Sequence, residues 1–168
     1  MVDIQGTAIH GTACPHCGTH NNFHADAAAI AAQCGRCDRR LFEGKAYEVG
    51  GDAFLAHSLA SDPSPGKIPL LLVCFGVGFG VTRINADRYA KLYEPNLRVL
   101  KINAFEHHEA LAGYAVRAVP TGLLFQAGTV VARALGAPIP EADPFARMLD
   151  EHGVKRAVPL RGAPAAEA

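Results

Sequence analysis

The chain has 168 residues, sixteen basic and sixteen acidic side chains, and a net charge of zero. That length suits one domain of roughly 100–130 residues with a small appendage, and 49% apolar residues are enough to fill a core. The even charge excludes a chain built for bulk attraction to nucleic acid or to an anionic membrane.

The start, Met1 to Gln5, has no basic stretch followed by an apolar one, so no targeting segment is expected there. Residues 1–45 read as a first unit. Cys14-Pro15-His16-Cys17 and Cys34-Gly35-Arg36-Cys37 form a C-x2-C…C-x2-C array with sixteen residues between the pairs. That spacing fits a tetrahedral zinc site. Four thiolates close the coordination shell and leave no position for water, so one structural Zn2+ is expected on Cys14, Cys17, Cys34 and Cys37. The competing reading is two reactive dithiols. His16, His20 and His24 lie nearby and read as surface or outer neighbours rather than ligands. Arg36, Arg39, Arg40 and Lys45 are offset by Asp3, Asp26, Asp38 and Glu43, which argues against a nucleic-acid role. The unit has few large apolar residues and needs a metal to fold. Leu41-Phe42 offers it an apolar foot for docking. Five cysteines, four in metal spacing, suit a reducing compartment, so a cytoplasmic location is expected.

Residues 46–153 read as the second unit. Tyr47 to Val49 suggests a short strand, and Asp52 to Leu59 a helix capped by Asp52. Residues 61–67 form a Pro/Ser/Gly turn region. Pro69 to Phe75 is a continuous apolar run of strand length, as a central buried strand requires. The longest apolar stretch, Ile68 to Val81, is broken by Pro69, Gly76, Gly78 and Gly80 and is too short to cross a bilayer. Thr82 reads as the cap of a helix ending near Pro95. Leu97 to Ile102 is a strand, and Glu106 to Ala112 a short helix with Gly113 behind it. His107 and His108 are expected to face solvent. Leu123 to Gln126 and Thr129 to Ala134 flank Ala127-Gly128 as a hairpin. Asp143 caps a last helix whose first turn holds Pro144. Residues 154–168 read as a flexible tail. The order β-α-β-α-β-α-β-β-α is an α/β layer pattern.

Three stretches carry a family resemblance: the ribbon with Leu41-Phe42-Glu43-Gly44, the strand Arg98 to Asn103, and Tyr114 to Thr121 followed by Leu124, Phe125 and Gly128. On these the chain resembles the zinc-ribbon thioredoxins of bacteria, the thioredoxin-2 type, over about residues 10–152. The resemblance implies a thioredoxin fold, a central mixed sheet flanked by helices, behind an N-terminal zinc ribbon. It also implies a cis bond before Pro120, beside which an extended substrate pairs with the backbone of Val119.

The departures fall on the active segment. The family reads aspartate-phenylalanine-tryptophan-alanine-proline-tryptophan, then cysteine-glycine-proline-cysteine-arginine. Laid on this chain without gaps, it places Phe79 where the nucleophilic cysteine stands, Thr82 on the resolving cysteine and Val73 on the buried carboxylate. Dithiol exchange needs a thiolate and a second thiol, so no catalytic residue of that type is expected. Lys101, which the resemblance places near Val73, must reach solvent or another oxygen. Cys74 reads as a small core residue.

The sequence thus points to a redox-inactive thioredoxin-like protein, leaning away from an enzyme, that binds a protein or an extended polypeptide segment in a groove formed by Val77, Phe79, Val119 and Pro120. The alternative is a disulfide oxidoreductase or redox sensor, with a part in cell redox homeostasis, acting through Cys74 or the ribbon cysteines. A chain with no partner is a third reading. Oligomeric state is not legible.

Overall fold

A computed structural model describes residues 7–26, 28–60, 66–76, 80–137, 139 and 142–157. Two strands the sequence did not announce open the chain. β1 (Ile9–Ala13) pairs antiparallel with β2 (His20–His24), with Gly11 opposite Asn22. Strand β2 reads His-Asn-Asn-Phe-His, so only Phe23 offers an apolar side chain to bury. The Phe23 ring meets Phe42 edge to face at 5.1 Å between centroids.

The main sheet has five strands in the order β3-β5-β4-β6-β7. These are β3 (Tyr47–Glu48), β4 (Leu70–Phe75), β5 (Arg98–Asn103), β6 (Thr121–Gln126) and β7 (Thr129–Leu135). β3 and β4 lie parallel to β5, whereas β6 runs antiparallel to both β4 and β7. Helices α1 (Gly51–Ala60), α2 (Gly80–Tyr93), α3 (His108–Leu111) and α4 (Pro144–Glu151) complete the expected succession.

Every residue of β4 is buried, because both faces of the strand are covered. Leu71 and Val73 join Tyr89, Tyr93, Phe145 and Leu149 on the α2/α4 face. Leu70, Leu72 and Cys74 join Phe54, Leu111 and Phe125 on the α1/α3 face. That double burial is why the segment reads as an unbroken apolar run rather than an alternation.

Three local expectations are corrected. Gly50, not Asp52, precedes α1: its carbonyl accepts from the Phe54 N–H at 2.9 Å, and Asp52 sits inside the first turn, where its charge suits the helix dipole. Helix α2 begins at Gly80, so Thr82 lies within the first turn instead of capping it. Helix α3 passes into a 3-10 turn, Ala112–Tyr114, that contains Gly113; the left-handed residue is Ala115, with φ 50°. His107 is half-buried beside Gly50, while His108 is exposed. Asp143 does cap α4, accepting from the backbone N–H of Phe145 at 3.1 Å and of Ala146 at 2.9 Å.

Past α4, residues 154–157 lie along α2. Val154 is buried, and the Ala157 N–H donates to the Leu92 carbonyl at 2.8 Å. Among the described residues, no helix is long and apolar enough to cross a membrane.

The N-terminal hairpin sits at the starting ends of β4 and β5. The Gly11 N–H donates to the Gly66 carbonyl at 2.9 Å, and the Ile68 N–H donates to the Gly11 carbonyl at 3.3 Å. Gly66 holds φ at +97°, and a Cβ there would stand 1.9 Å from the Ile9 carbonyl oxygen. Only glycine permits both the backbone angle and the close approach.

Candidate functional site

The two C-x2-C segments fold as matching knuckles. In the first, the Cys14 N–H donates to the Thr19 carbonyl at 2.8 Å and the Gly18 N–H to the Cys14 carbonyl at 2.9 Å. In the second, the Cys34 N–H donates to the Arg39 carbonyl and the Asp38 N–H to the Cys34 carbonyl, both at 2.9 Å. Gly18 and Asp38 take the left-handed conformation at equivalent places, with φ 71° and 56°. Each turn aims backbone N–H groups at its first sulfur. His16 donates to Cys14 Sγ at 3.4 Å, and Arg36 to Cys34 Sγ at 3.4 Å. Asn21 Nδ2 adds a contact to Cys34 Sγ at 3.5 Å.

All four sulfurs lie within 4.8 Å of one another. Cys14 and Cys37, and likewise Cys17 and Cys34, stand 3.7 Å apart, far beyond disulfide length. A metal–sulfur length of about 2.3 Å in a tetrahedron sets sulfurs about 3.8 Å apart. The cluster therefore suits one metal ion. Burial pushes the Cys14 thiol up to about 12, whereas the N–H donor of Arg36 brings Cys34 down to about 6. Four thiols so close ionise together only when a cation joins them, which ties metal uptake to proton release. His16 stays outside this set, with Nδ1 3.0 Å from Arg39 Nη1.

The cluster is not isolated from the sheet. Cys14, Cys34, Phe23, Leu41 and Phe42 share an apolar cluster with Ile68, which leads into β4. Leu41-Phe42 thus serves as the apolar foot expected of it. Beneath it lies a pair of buried charges that sequence reasoning missed, Arg98 and Glu94, each 2% exposed. Arg98, His57, Ile68, Leu70 and residues 11–13 line a small cavity at this seam.

A second candidate region lies at the far ends of β4 and β5. The bond before Pro120 is cis, as the resemblance implies. Pro120 is buried and Val119 half-buried; the Thr121 hydroxyl donates to the Ala118 carbonyl at 2.7 Å and anchors the turn. Beside it stands Phe105, 66% exposed, in the loop after β5. An Asn103 side chain fixes that loop, accepting from the Phe105 N–H at 3.1 Å and donating to Glu106 at 2.6 Å. A Cβ on Gly76 would meet the Phe105 ring at 2.3 Å and Val119 at 3.2 Å. Gly76, Phe105 and Val119 are therefore one contact group. Val77 and Phe79, the other expected groove residues, lie outside the described residues.

Lys101 finds an oxygen rather than solvent. It stands opposite Val73 in the β4–β5 register, and its ammonium lies 3.3 Å from Asp87 Oδ1 on α2. Cys74 is fully buried, and that burial pushes its thiol up to about 12.

No family model matches the chain. Curated relatives do: thioredoxin C-3 of Corynebacterium nephridii is 27% identical over 126 residues, 74% of this chain and 83% of that protein. Thioredoxin 1 of Nostoc is 28% identical over 110 residues, 64% of this chain and 96% of its own length. Among solved structures, a thioredoxin variant from Halobacterium salinarum NRC-1 superposes with a TM-score of 0.52 at 21% identity, covering 70% of this chain and 97% of that one. The short form of thioredoxin f from spinach chloroplast gives 0.52 at 21% identity, covering 64% and 90%. The chain is similar to these thioredoxins. Its five-stranded mixed sheet and flanking helices are the thioredoxin fold, preceded by a hairpin that carries the four-cysteine cluster.

Within this thioredoxin-like chain the sequence located the four cysteines, the Val119-Pro120 turn, Lys101 and Cys74. It did not find Phe105 or the Arg98–Glu94 pair. Phe105 follows a strand and precedes two polar residues, so nothing in its surroundings marks it as exposed. Arg98 and Glu94 are charged types that ordinarily face water, and only their spacing of four across Pro95 hinted at pairing.

Proposed function

We propose that this protein is a non-redox thioredoxin-like binding module. Its groove, formed by the cis-Pro120 turn with Val119 and by Phe105, and to which the sequence assigns Val77 and Phe79, takes an extended polypeptide segment of a partner protein. The observation that carries the reading is the position of the thiols. Laid without gaps on the family's active segment, the sequence carries Phe79 and Thr82 where the cysteines would stand, and the one thiol outside the ribbon, Cys74, is fully buried with its pKa raised to about 12. A thiol of that kind supplies almost no thiolate at neutral pH. The four ribbon cysteines hold one structural Zn2+, the ion that best matches an all-sulfur tetrahedral set. A reducing compartment, the cytoplasm, keeps them available for it.

Two measurements test this. In an insulin-reduction assay the protein is expected to show no turnover above buffer. In a binding assay against unfolded, reduced polypeptides, Phe79→Asp and Phe105→Asp are expected to weaken capture. Turnover comparable to an ordinary thioredoxin would overturn the proposal.

A second reading has one observation in its favour. The depressed Cys34 thiol, brought to about 6 chiefly by the Arg36 N–H, would be a reactive thiolate once metal is lost. Under that reading the ribbon senses oxidants by releasing its ion. Zinc release that tracks peroxide addition at stoichiometric amounts would favour it.

A further inference from the structure

Arg98 opens β5 in otherwise apolar company, between Leu97 and Val99, and is buried. Its guanidinium makes three separate contacts. Nη1 donates to Glu94 Oε1 at 3.0 Å, Nη2 donates to the Leu41 carbonyl at 2.7 Å, and the plane lies 4.8 Å over the Phe42 ring. Glu94 in turn accepts the Gly44 N–H through Oε2 at 2.9 Å. The side-chain hydrogen bonds that the pair makes beyond each other, through Arg98 Nη2 and Glu94 Oε2, thus go to the segment that leaves the second cysteine knuckle, while Arg98 Nε is buried with no partner among the described residues.

That segment is the closing rung of the knuckle. The Leu41 N–H donates to the Ala32 carbonyl at 2.9 Å, and Gln33 bridges Arg40, so the chain from 32 to 41 is a loop closed around Cys34 and Cys37. Arg98 grips the carbonyl of the residue that closes it. Four thiolates around a divalent cation also leave a net negative charge, and Arg98 is a buried cation at the edge of their apolar cluster. Burial lowers the Arg98 pKa, while the charges of Glu94 and Cys14 act to raise it.

We infer that Arg98 is a positioning residue for the four-cysteine centre, and that with Glu94 it couples metal occupancy to the order of β5 and the end of α2. The inference rests on the metal-binding reading of the cysteines. The physical argument concerns desolvation. Burying two charges is costly, and their mutual attraction offsets this only with the help of further hydrogen bonds. Here the partners in those bonds, the Leu41 carbonyl and the Gly44 N–H, belong to the ribbon side of the seam. A ribbon too poor in apolar residues to fold alone needs its ion to present them. Metal binding and burial of the pair are then linked, and the linkage is reciprocal.

The test uses the full chain. Co2+ is titrated by its thiolate charge-transfer absorption, and Zn2+ affinity follows by competition, for wild type, Arg98→Met and Arg98→Lys. Hydrogen exchange at 97–102 and 90–94 is compared in wild type with Zn2+ and after chelation. Arg98→Met is expected to lower metal affinity about tenfold or more, as loss of an outer partner of a metal site does. Arg98→Lys, which keeps the charge but not the fork, should recover only part. Chelation should speed exchange at 97–102 and 90–94 by about tenfold or more in the wild type, for the same reason. A folded Arg98→Met with wild-type affinity within twofold, or exchange unchanged by chelation, would overturn the inference. If Arg98→Met does not fold, the wild-type exchange comparison decides alone. A wild type that takes up neither ion fails at the earlier step and refutes the metal reading itself.

Discussion

The ammonium of Lys101 lies 3.3 Å from Asp87 Oδ1, while its cross-strand neighbour is Val73. The carboxylate that balances the lysine thus comes from helix α2 and not from the adjacent strand. The same Asp87 oxygen accepts the Ala46 N–H at 3.0 Å, so one group serves two donors. Asp87→Ala is expected to destabilise the fold by about 1–2 kcal/mol in urea titration, because it strands a nearly buried ammonium and a backbone N–H. Lys101→Met removes the charge and keeps the stem, and should cost less than about 1 kcal/mol. Equal costs would show the pairing to be incidental. Because Asp87 is 39% exposed, salt should weaken the difference.

Gly76 and Phe105 are matched by shape. Gly76→Ala forces the Phe105 ring from its place and is expected to cost about 1 kcal/mol, at the low end of overpacking, since the ring is free to swing toward solvent. In a Phe105→Ala background the same change should fall within about 0.5 kcal/mol of neutral, because the loss of backbone freedom in the unfolded chain then offsets the remaining Val119 contact. A double-mutant cycle reads the coupling directly. Additive costs would separate the two residues.

His57 is buried at the seam, and burial followed by the charge of Arg98 lowers its pKa from 6.5 to about 4. The unfolded chain takes up the proton first, so the stability that neutral His57 contributes is complete above pH 6.5 and is lost as pH falls toward 4. By pH 5 the loss should be on the order of 2 kcal/mol. Glu94 works the other way. Burial, opposed by Arg98, raises its pKa from 4.5 to about 7, so its effect erodes stability as pH rises from 4.5 to 7. The clean measurement is the difference between wild type and His57→Leu in denaturant titrations from pH 7.5 to 5. A difference that does not change with pH would refute the assignment.

The five cysteines should fall into two classes. With Zn2+ bound, a thiol reagent is expected to modify none of the ribbon four quickly and Cys74 only on unfolding. Cys74→Ser puts a hydroxyl into an apolar site and should cost about 1–3 kcal/mol without changing metal content. Cys17→Ser should abolish stoichiometric metal binding. Rapid labelling of Cys74 in the folded protein would contradict its placement.

Sequence reasoning reached the parts of this molecule where local chemistry and global structure agree. The apolar run of β4, the Asp143-Pro144 start of α4, the Ala127-Gly128 turn and the cysteine spacing each have one strong local cause. It failed where a tertiary contact decides. Strand β2 holds one apolar residue and exists because Phe23 has Phe42 to meet. The helix starts were misjudged because Asp52 and Thr82 are good cap residues, yet α1 begins at Gly51 and α2 at Gly80. Arg98 was unreadable because a charged side chain is buried only when distant segments supply its partners. In this chain those segments lie 57 residues away, at Leu41.

Strands β4 and β5 run side by side from the cysteine hairpin at one end to the proline turn at the other. Six residues of extended chain put these two regions about 20 Å apart. The cysteine cluster therefore reaches the neighbourhood of Phe105 and Val119 only through the strands and helices between them. β5 is the strand common to both, with Arg98 at its cysteine end and Asn103 at the other.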